Sequence, residues 1–135
     1  MILLDSTVIV GFLDRDDALH EVAVAKLKEV IGSESLLAST VSYAEVMTGV
    51  ARGHHPERQV QRFFDVVVGD LLAVDRQVAA RAAVLRGKRV SLRMPDALIL
   101  ATADVHDEVD TVLCADAEWP KVKGLSCRVE LLKRG

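Results

Sequence analysis

Four acids stand where a chain could put them to chemical use: Asp5, Glu45, Asp96 and Asp116. They are far apart in sequence, and each lies next to an apolar segment. Carboxylates gathered in one place repel each other and cannot all stay ionised without a cation. A ligand set made only of oxygens suits Mg2+ or Mn2+. An acid cluster holding such an ion is suited to activating water against a phosphodiester. The chemistry therefore depends on whether the intervening elements bring the four together.

Apolar periodicity and end signals predict those elements. Residues 2–5 read as a short buried strand that Asp5 closes, and 7–13 as a short helix. The turn of Asp14, Asp16 and Asp17 leads into a helix over 17–31, stopped by Gly32. Residues 36–39 read as a strand and 42–52 as a helix, which places Glu45 in its first turn. A further helix spans 57–68, with Val60, Phe63, Phe64, Val67 and Val68 in register. Residues 71–74 read as a strand, and Asp75 caps a helix that runs to Arg86. A basic loop over 86–93 leads to a helix over 95–106 that opens with Pro95 and carries Asp96 in its first turn. Strands over 111–115 and 127–132 complete the chain, with Asp116 just past the first of them. Short apolar strands alternating with helices indicate one α/β domain over residues 1–135 with a mainly parallel sheet. In such a sheet, strand C-termini and crossover-helix N-termini share one edge, where ligands bind. That edge receives all four acids.

Each acid also has a structural explanation. Ser42 and Glu45 fit an S-x-x-E capping box. Asp96 suits the helix dipole, and Asp116 suits a turn. Asp5 is the hardest to explain this way, because an acid that ends an apolar strand is desolvated unless it binds something.

Composition narrows the remaining possibilities. With 17 basic and 20 acidic residues the chain carries a net charge of −3. That is not the profile of a protein that coats nucleic acid, although a local basic groove stays open. One Trp, one Tyr and three Phe are too few for a base-stacking platform. Cys114 and Cys127 lack metal or redox spacing and read as free thiols. The four histidines lack zinc-site spacing, and no nucleophile-elbow, P-loop or dinucleotide fingerprint is present. The longest apolar run, Ala97–Ala103, is far short of the ~20 residues of a membrane span. The opening MILLD lacks a basic region, so the reading expects no signal peptide and a cytoplasmic protein.

Four segments, in order, resemble the PIN-domain family and within it the VapC-type toxins of type II toxin–antitoxin pairs. They are ILLDST at 2–7, STVSYAEVMTG at 39–49, MPDALILATA at 94–103 and VLCADAEWPKVKGL at 112–125. The resemblance covers nearly the whole chain. It implies a three-layer α/β/α fold with a five-stranded parallel sheet of order 3-2-1-4-5. It also implies a Mg2+- or Mn2+-dependent endoribonuclease that leaves a 5′-phosphate and a 3′-hydroxyl. Asp5, Asp96 and Asp116 would hold the metal, and Glu45 would help through a water or a second ion. Thr7 matches a small polar residue expected to orient Asp5 or a water, although Ser6 and Thr7 equally suit helix caps. The implied partners are a VapB-type antitoxin, an RNA substrate and a second copy of the chain.

Two residues depart from the family pattern. Cys114 stands where Thr or Asn is usual, which puts the support of Asp116 in doubt. Trp119 stands where Phe is usual and should fill the same pocket. Outside the four acids, Arg86, Lys88, Arg89 and Arg93 are candidate RNA contacts. Phe63 and Phe64 are candidates for a dimer or antitoxin surface, with at least one of them in the core. Two other readings stay open. One is a catalytically weak PIN scaffold that binds proteins. The other is a phospho-acceptor domain built on Asp5, which lacks the second Asp of a D-x-D motif.

Overall fold

A computed structural model describes residues 1–134. Five strands form one parallel sheet of order β3-β2-β1-β4-β5. The strands are β1 (Ile2–Leu4), β2 (Leu36–Ser39), β3 (Asp70–Leu72), β4 (Thr111–Cys114) and β5 (Arg128–Leu131). The central strand pairs on both sides, with Leu3 opposite Leu37 of β2 and Val112 of β4. Its side chains alternate between the two faces. Ile2 and Leu4 enter one core, and Leu3 enters the other.

Helices α1 (Ser6–Leu13), α2 (His20–Val30), α3 (Thr40–Ala51) and α4 (Glu57–Arg62) build the first core, which contains Val8, Ile9, Leu27, Val46 and Val60. Helices α5 (Arg76–Lys88) and α6 (Met94–Val105) build the second, around Val78, Leu85, Ile99 and Leu100. The result is the three-layer α/β/α arrangement that the sequence implies.

Several boundaries differ from the sequence reading, each for a local reason. Helix α2 starts at His20, not residue 17. The Asp14 and Asp17 side chains accept from the backbone N–H groups of Asp16 and Leu19, which holds a turn there. Helix α3 starts at Thr40, because Ser39 leaves the strand extended and its Oγ accepts from Val41 N. The expected capping box at Ser42 and Glu45 is therefore absent, and Glu45 lies in the second turn of α3. The Ser42 hydroxyl is instead buried without a partner.

The helix expected over 57–68 is α4 followed by a π-helical turn, Phe63–Val67, in which Val68 N–H reaches back to the Phe63 carbonyl. Both phenylalanines turn inward, Phe63 against Phe12 and Phe64 against Tyr43. They belong to the core and offer no free apolar surface. Asp75 caps α5 as expected, its Oδ1 accepting from Val78 N–H at 2.9 Å. Helix α5 runs on to Lys88, so the basic loop is shorter than the sequence suggested. Gly49 of α3 lies against the His55 imidazole, which a Cβ at that position would strike.

Trp119 opens a short 3-10 turn (Trp119–Lys121) after β4 and is almost fully buried in the second core. Its ring anchors the turn that follows Asp116. Trp119→Ala should cost about 3–5 kcal/mol, as for other buried aromatic truncations, and Trp119→Phe less than half of that. Urea denaturation of both variants checks this, and an alanine loss below about 1 kcal/mol would contradict the packing role.

Candidate active site

The sheet order reverses direction between β1 and β4, and the C-terminal ends of these strands form the crevice where ligands bind in such folds. Asp5 follows β1 directly and continues its ladder, with its N–H donating to the Leu113 carbonyl at 3.0 Å. The same residue caps α1, and its Oδ1 accepts from Ser6 N–H at 2.8 Å. The Thr7 hydroxyl donates to Oδ2 at 2.6 Å. Thr7 therefore orients Asp5, and the cap is Asp5, not Ser6 or Thr7.

Asp5 is 3% exposed. Burial pushes its carboxyl up to about 6, against the opposing pull of the Thr7 and Ser6 bonds. The charges of Asp96 and Glu45 push it further in the same direction. Asp96, near the start of α6, is also raised above the ordinary carboxylate range, again chiefly by burial. Asp116 adds to that shift, while Arg93 opposes it. The Arg93 Nε lies 3.6 Å from Asp96 Oδ2. The Trp119 indole N–H is buried without a hydrogen-bond partner. It nevertheless faces Asp96 closely enough to favour the charged form. The four acids thus feel one another in a chain, from Glu45 to Asp5 to Asp96 to Asp116.

Glu45 is exposed and reaches the cluster through Ser6, whose hydroxyl donates to its Oε1 at 3.0 Å. This bridging role of Ser6 was missed from sequence, where a hydroxyl after an acid reads as a cap. Asp116 is exposed, and its Oδ1 accepts from Glu118 N–H at 2.9 Å, so it also closes a turn. Cys114 does not hold the Asp116 side chain. Its thiol makes only a weak contact to the Asp116 backbone carbonyl, at 3.7 Å, and burial pushes the thiol pKa up to about 12. The backbone amide of Glu118 supplies the support expected from a residue at 114.

A groove of about 530 Å³ runs beside the acids. Ser6, Thr7, Glu45 and Asp116 form its polar wall, and Val10, Leu19, Val46, Ala115 and Ala117 its apolar one. Asp17 and Arg134 complete it, two residues with no signal in the sequence. Asp5 and Asp96 are not part of this wall.

The donor chemistry fits a hard divalent cation, since the acids supply only oxygens and two of them are driven towards neutrality where they stand. The placement is looser than a finished cage. Among the described residues, no three His, Cys, Asp or Glu side chains are positioned to share one ion as they are.

Of the basic residues, Arg86 and Lys88 lie in the last turn of α5, while Arg89 and Arg93 lie in the connection to α6. Neither Arg89 nor Arg93 is free. Arg89 pairs with Glu118 at 3.1 Å and Arg93 with Asp96.

A family model described as "PIN domain" matches residues 2–125. The chain belongs to the PIN-domain family. A search of curated proteins returns no significant match. Among solved structures, the VapBC2 complex of Rickettsia felis bound to a promoter DNA fragment superposes with a TM-score of 0.77 at 14% identity, over 98% of this chain and 99% of that one. FitAcB from Neisseria gonorrhoeae gives 0.73 at 27% identity, over 96% of both chains. A toxin–antitoxin complex from Klebsiella pneumoniae gives 0.66 at 25% identity, over 92% and 97%. In this PIN fold the four acids named from sequence occupy the rim at the switch point.

The buried acid has a measurable signature. The native state holds the Asp5 proton more tightly than the unfolded chain does. The resulting stability is present below about pH 4 and is lost as the pH rises through about 6. The loss amounts to about 3 kcal/mol at most. Asn in place of Asp5 can still cap α1 and removes the charge. In EDTA, Asp5→Asn should be more stable than the parent at pH 7.5, and the gap should close on acidification to about pH 4. Denaturant melts across that range test this, and a gap independent of pH would refute the burial argument.

Proposed function

We propose that this PIN-domain protein is the toxin of a VapBC-like toxin–antitoxin pair and acts as a Mg2+- or Mn2+-dependent endoribonuclease. The observation that carries the reading is the buried Asp5 carboxylate, pushed up by burial and by Asp96 and Glu45 at the switch point of the sheet. A group so costly to ionise is retained where a cation repays the cost. The nuclease class rests on membership in the PIN family, and the toxin assignment on the toxin–antitoxin complexes among its structural neighbours.

Asp5, Asp96 and Asp116 would hold the ion through carboxylate oxygens. When bound, it supplies Lewis-acid stabilisation of charge on the phosphodiester and lowers the pKa of the attacking water. The chain's own groups do the positioning. Thr7 and Ser6 N–H fix both oxygens of Asp5. Ser6 occupies Oε1 of Glu45, leaving its Oε2 to accept a proton from water or to contact a second ion. The groove beside the acids is the place for the RNA strand. Arg86, Lys88, Arg89 and Arg93 are the candidate phosphate contacts, and a VapB-type antitoxin would cover the same rim. A homodimer and a cytoplasmic location complete the proposal. Among the described residues, no helix is long and apolar enough to cross a membrane.

The weak-scaffold reading draws on two observations: Asp116 is engaged in a turn, and among the described residues no three acids converge as they stand. One experiment separates the two readings. Purified protein should cut RNA in Mg2+ or Mn2+ and stop in EDTA. Asp96→Asn should lose most of the cleavage and most of the metal-induced rise in melting temperature. That rise is about 1.4 kcal/mol at ten times the dissociation constant, or roughly 2–6 °C for this size. Cleavage that survives EDTA overturns the metal site, and a metal-stabilised chain that cuts no RNA favours the scaffold.

A further inference from the structure

Glu118 lies two residues beyond Asp116 and has no place in the proposed metal site. Its carboxylate is shared between two cations. Arg89 Nη2 donates to Oε2 at 3.1 Å, and Lys121 Nζ donates to Oε1 at 3.3 Å. The first bond crosses from the turn after β4 to the connection between α5 and α6, joining segments 29 residues apart. The second links the last residue of the 3-10 turn back to its N-cap. The Glu118 backbone N–H is meanwhile fixed by Asp116 Oδ1. The residue is thus held in place on the rim while its side chain faces two cations.

Exposed pairs of this kind are individually weak, so a stronger anion can displace Glu118. A nucleic-acid backbone is such an anion. Its phosphates gain from Arg and Lys through charge-assisted bonds and counterion release. Arg89 stands four residues before Arg93, the residue that pairs with Asp96. Through Glu118 it is also tied to the turn closed by Asp116, so it lies beside the segments that carry two of the acids.

We propose that Glu118 is a determinant of polyanion affinity in this protein: it holds Arg89 and Lys121 in the free state, and the phosphate backbone of single-stranded RNA must displace it to reach them. The proposal rests on the reading of the rim as an RNA site. Glu118 acts here as a built-in competitor, keeping a chain with basic residues beside its site from binding every polyanion it meets. RNA that fills the site supplies enough contacts to break the latch, and stray phosphate does not.

The test is fluorescence anisotropy of a labelled single-stranded RNA in EDTA, where cleavage plays no part. Four proteins are compared across a salt series: the parent, Glu118→Gln, Arg89→Gln/Lys121→Gln, and the triple variant. Glu118→Gln should bind about 2- to 5-fold tighter. Its log–log salt slope should change by less than about 0.7, the value for one full phosphate contact, because the same two cations meet phosphate in both complexes. The triple variant should match the Arg89→Gln/Lys121→Gln protein, because without the cations nothing is left to release. An unchanged affinity for Glu118→Gln overturns the proposal. So does an equal gain in both backgrounds, which would mean that Glu118 merely repels RNA through space. If the parent binds and only the Glu118 effect is missing, the latch alone fails. If no protein binds RNA at any salt concentration, the RNA site fails and the latch fails with it.

Discussion

Asp5 carries a carboxylate to the end of the central strand of the sheet, which is paired on both sides and buried along its length. This placement constrains everything around it. The apolar residues Ile2, Leu3 and Leu4 are nearly inaccessible to solvent, and the sheet that buries them also buries the acid that follows. The cost of ionising that acid is visible in its raised pKa. The structure offsets part of the cost locally. The N-terminus of α1 presents its N–H groups and positive dipole end to the carboxylate, and Thr7 adds a short hydrogen bond. Two of the remaining acids, Asp96 and Glu45, make the problem worse by adding negative charge to the same region. A fold that merely needed a cap for α1 would do better with Ser or Thr at position 5.

The rim manages its charge by pairing. Arg93 faces Asp96, and Arg89 and Lys121 face Glu118. Ser6 takes one oxygen of Glu45, and the Glu118 amide takes one of Asp116. Each of these contacts is partly solvent-exposed and individually weak. Together they offset part of the repulsion among four acids that share one edge of the sheet.

What the sequence revealed, and what it concealed, follows the range of the forces involved. The alternation of short apolar strands with helices exposed the sheet and its layers, because burial on both faces leaves continuous apolar runs such as ILL and TVLC. The four acids were legible because strand ends and helix starts can be located from pattern alone. Short-range competition was harder to read. Ser39 won the cap of α3 from Ser42, since the residue that leaves a strand already has the extended backbone a cap needs. Asp17 held a turn where periodicity continued a helix. The π-helical turn at Phe63 changed the direction of two aromatic side chains by widening a single hydrogen-bonded ring. Long-range polar pairs were the least legible. Nothing in the order of residues joins Arg89 to Glu118 or brings Arg134 to the groove.

The difference between the acids then separates two roles. Asp5 is fixed by backbone on both sides, by the ladder to β4 and by the cap of α1. Its position is set when the sheet forms and does not depend on any ligand. Glu45, Asp96 and Asp116 reach the rim on side chains held only by exchangeable contacts, to Ser6, Arg93 and a turn amide. A rim built this way has one rigid reference point and three adjustable carboxylates. Rigid placement of all four would bury more like charge, a cost whose direction shows in the raised pKa of Asp5. Adjustable placement keeps that cost down, because exposed carboxylates stay solvated. It also leaves the acids and their cationic partners open to exchange with other charged groups.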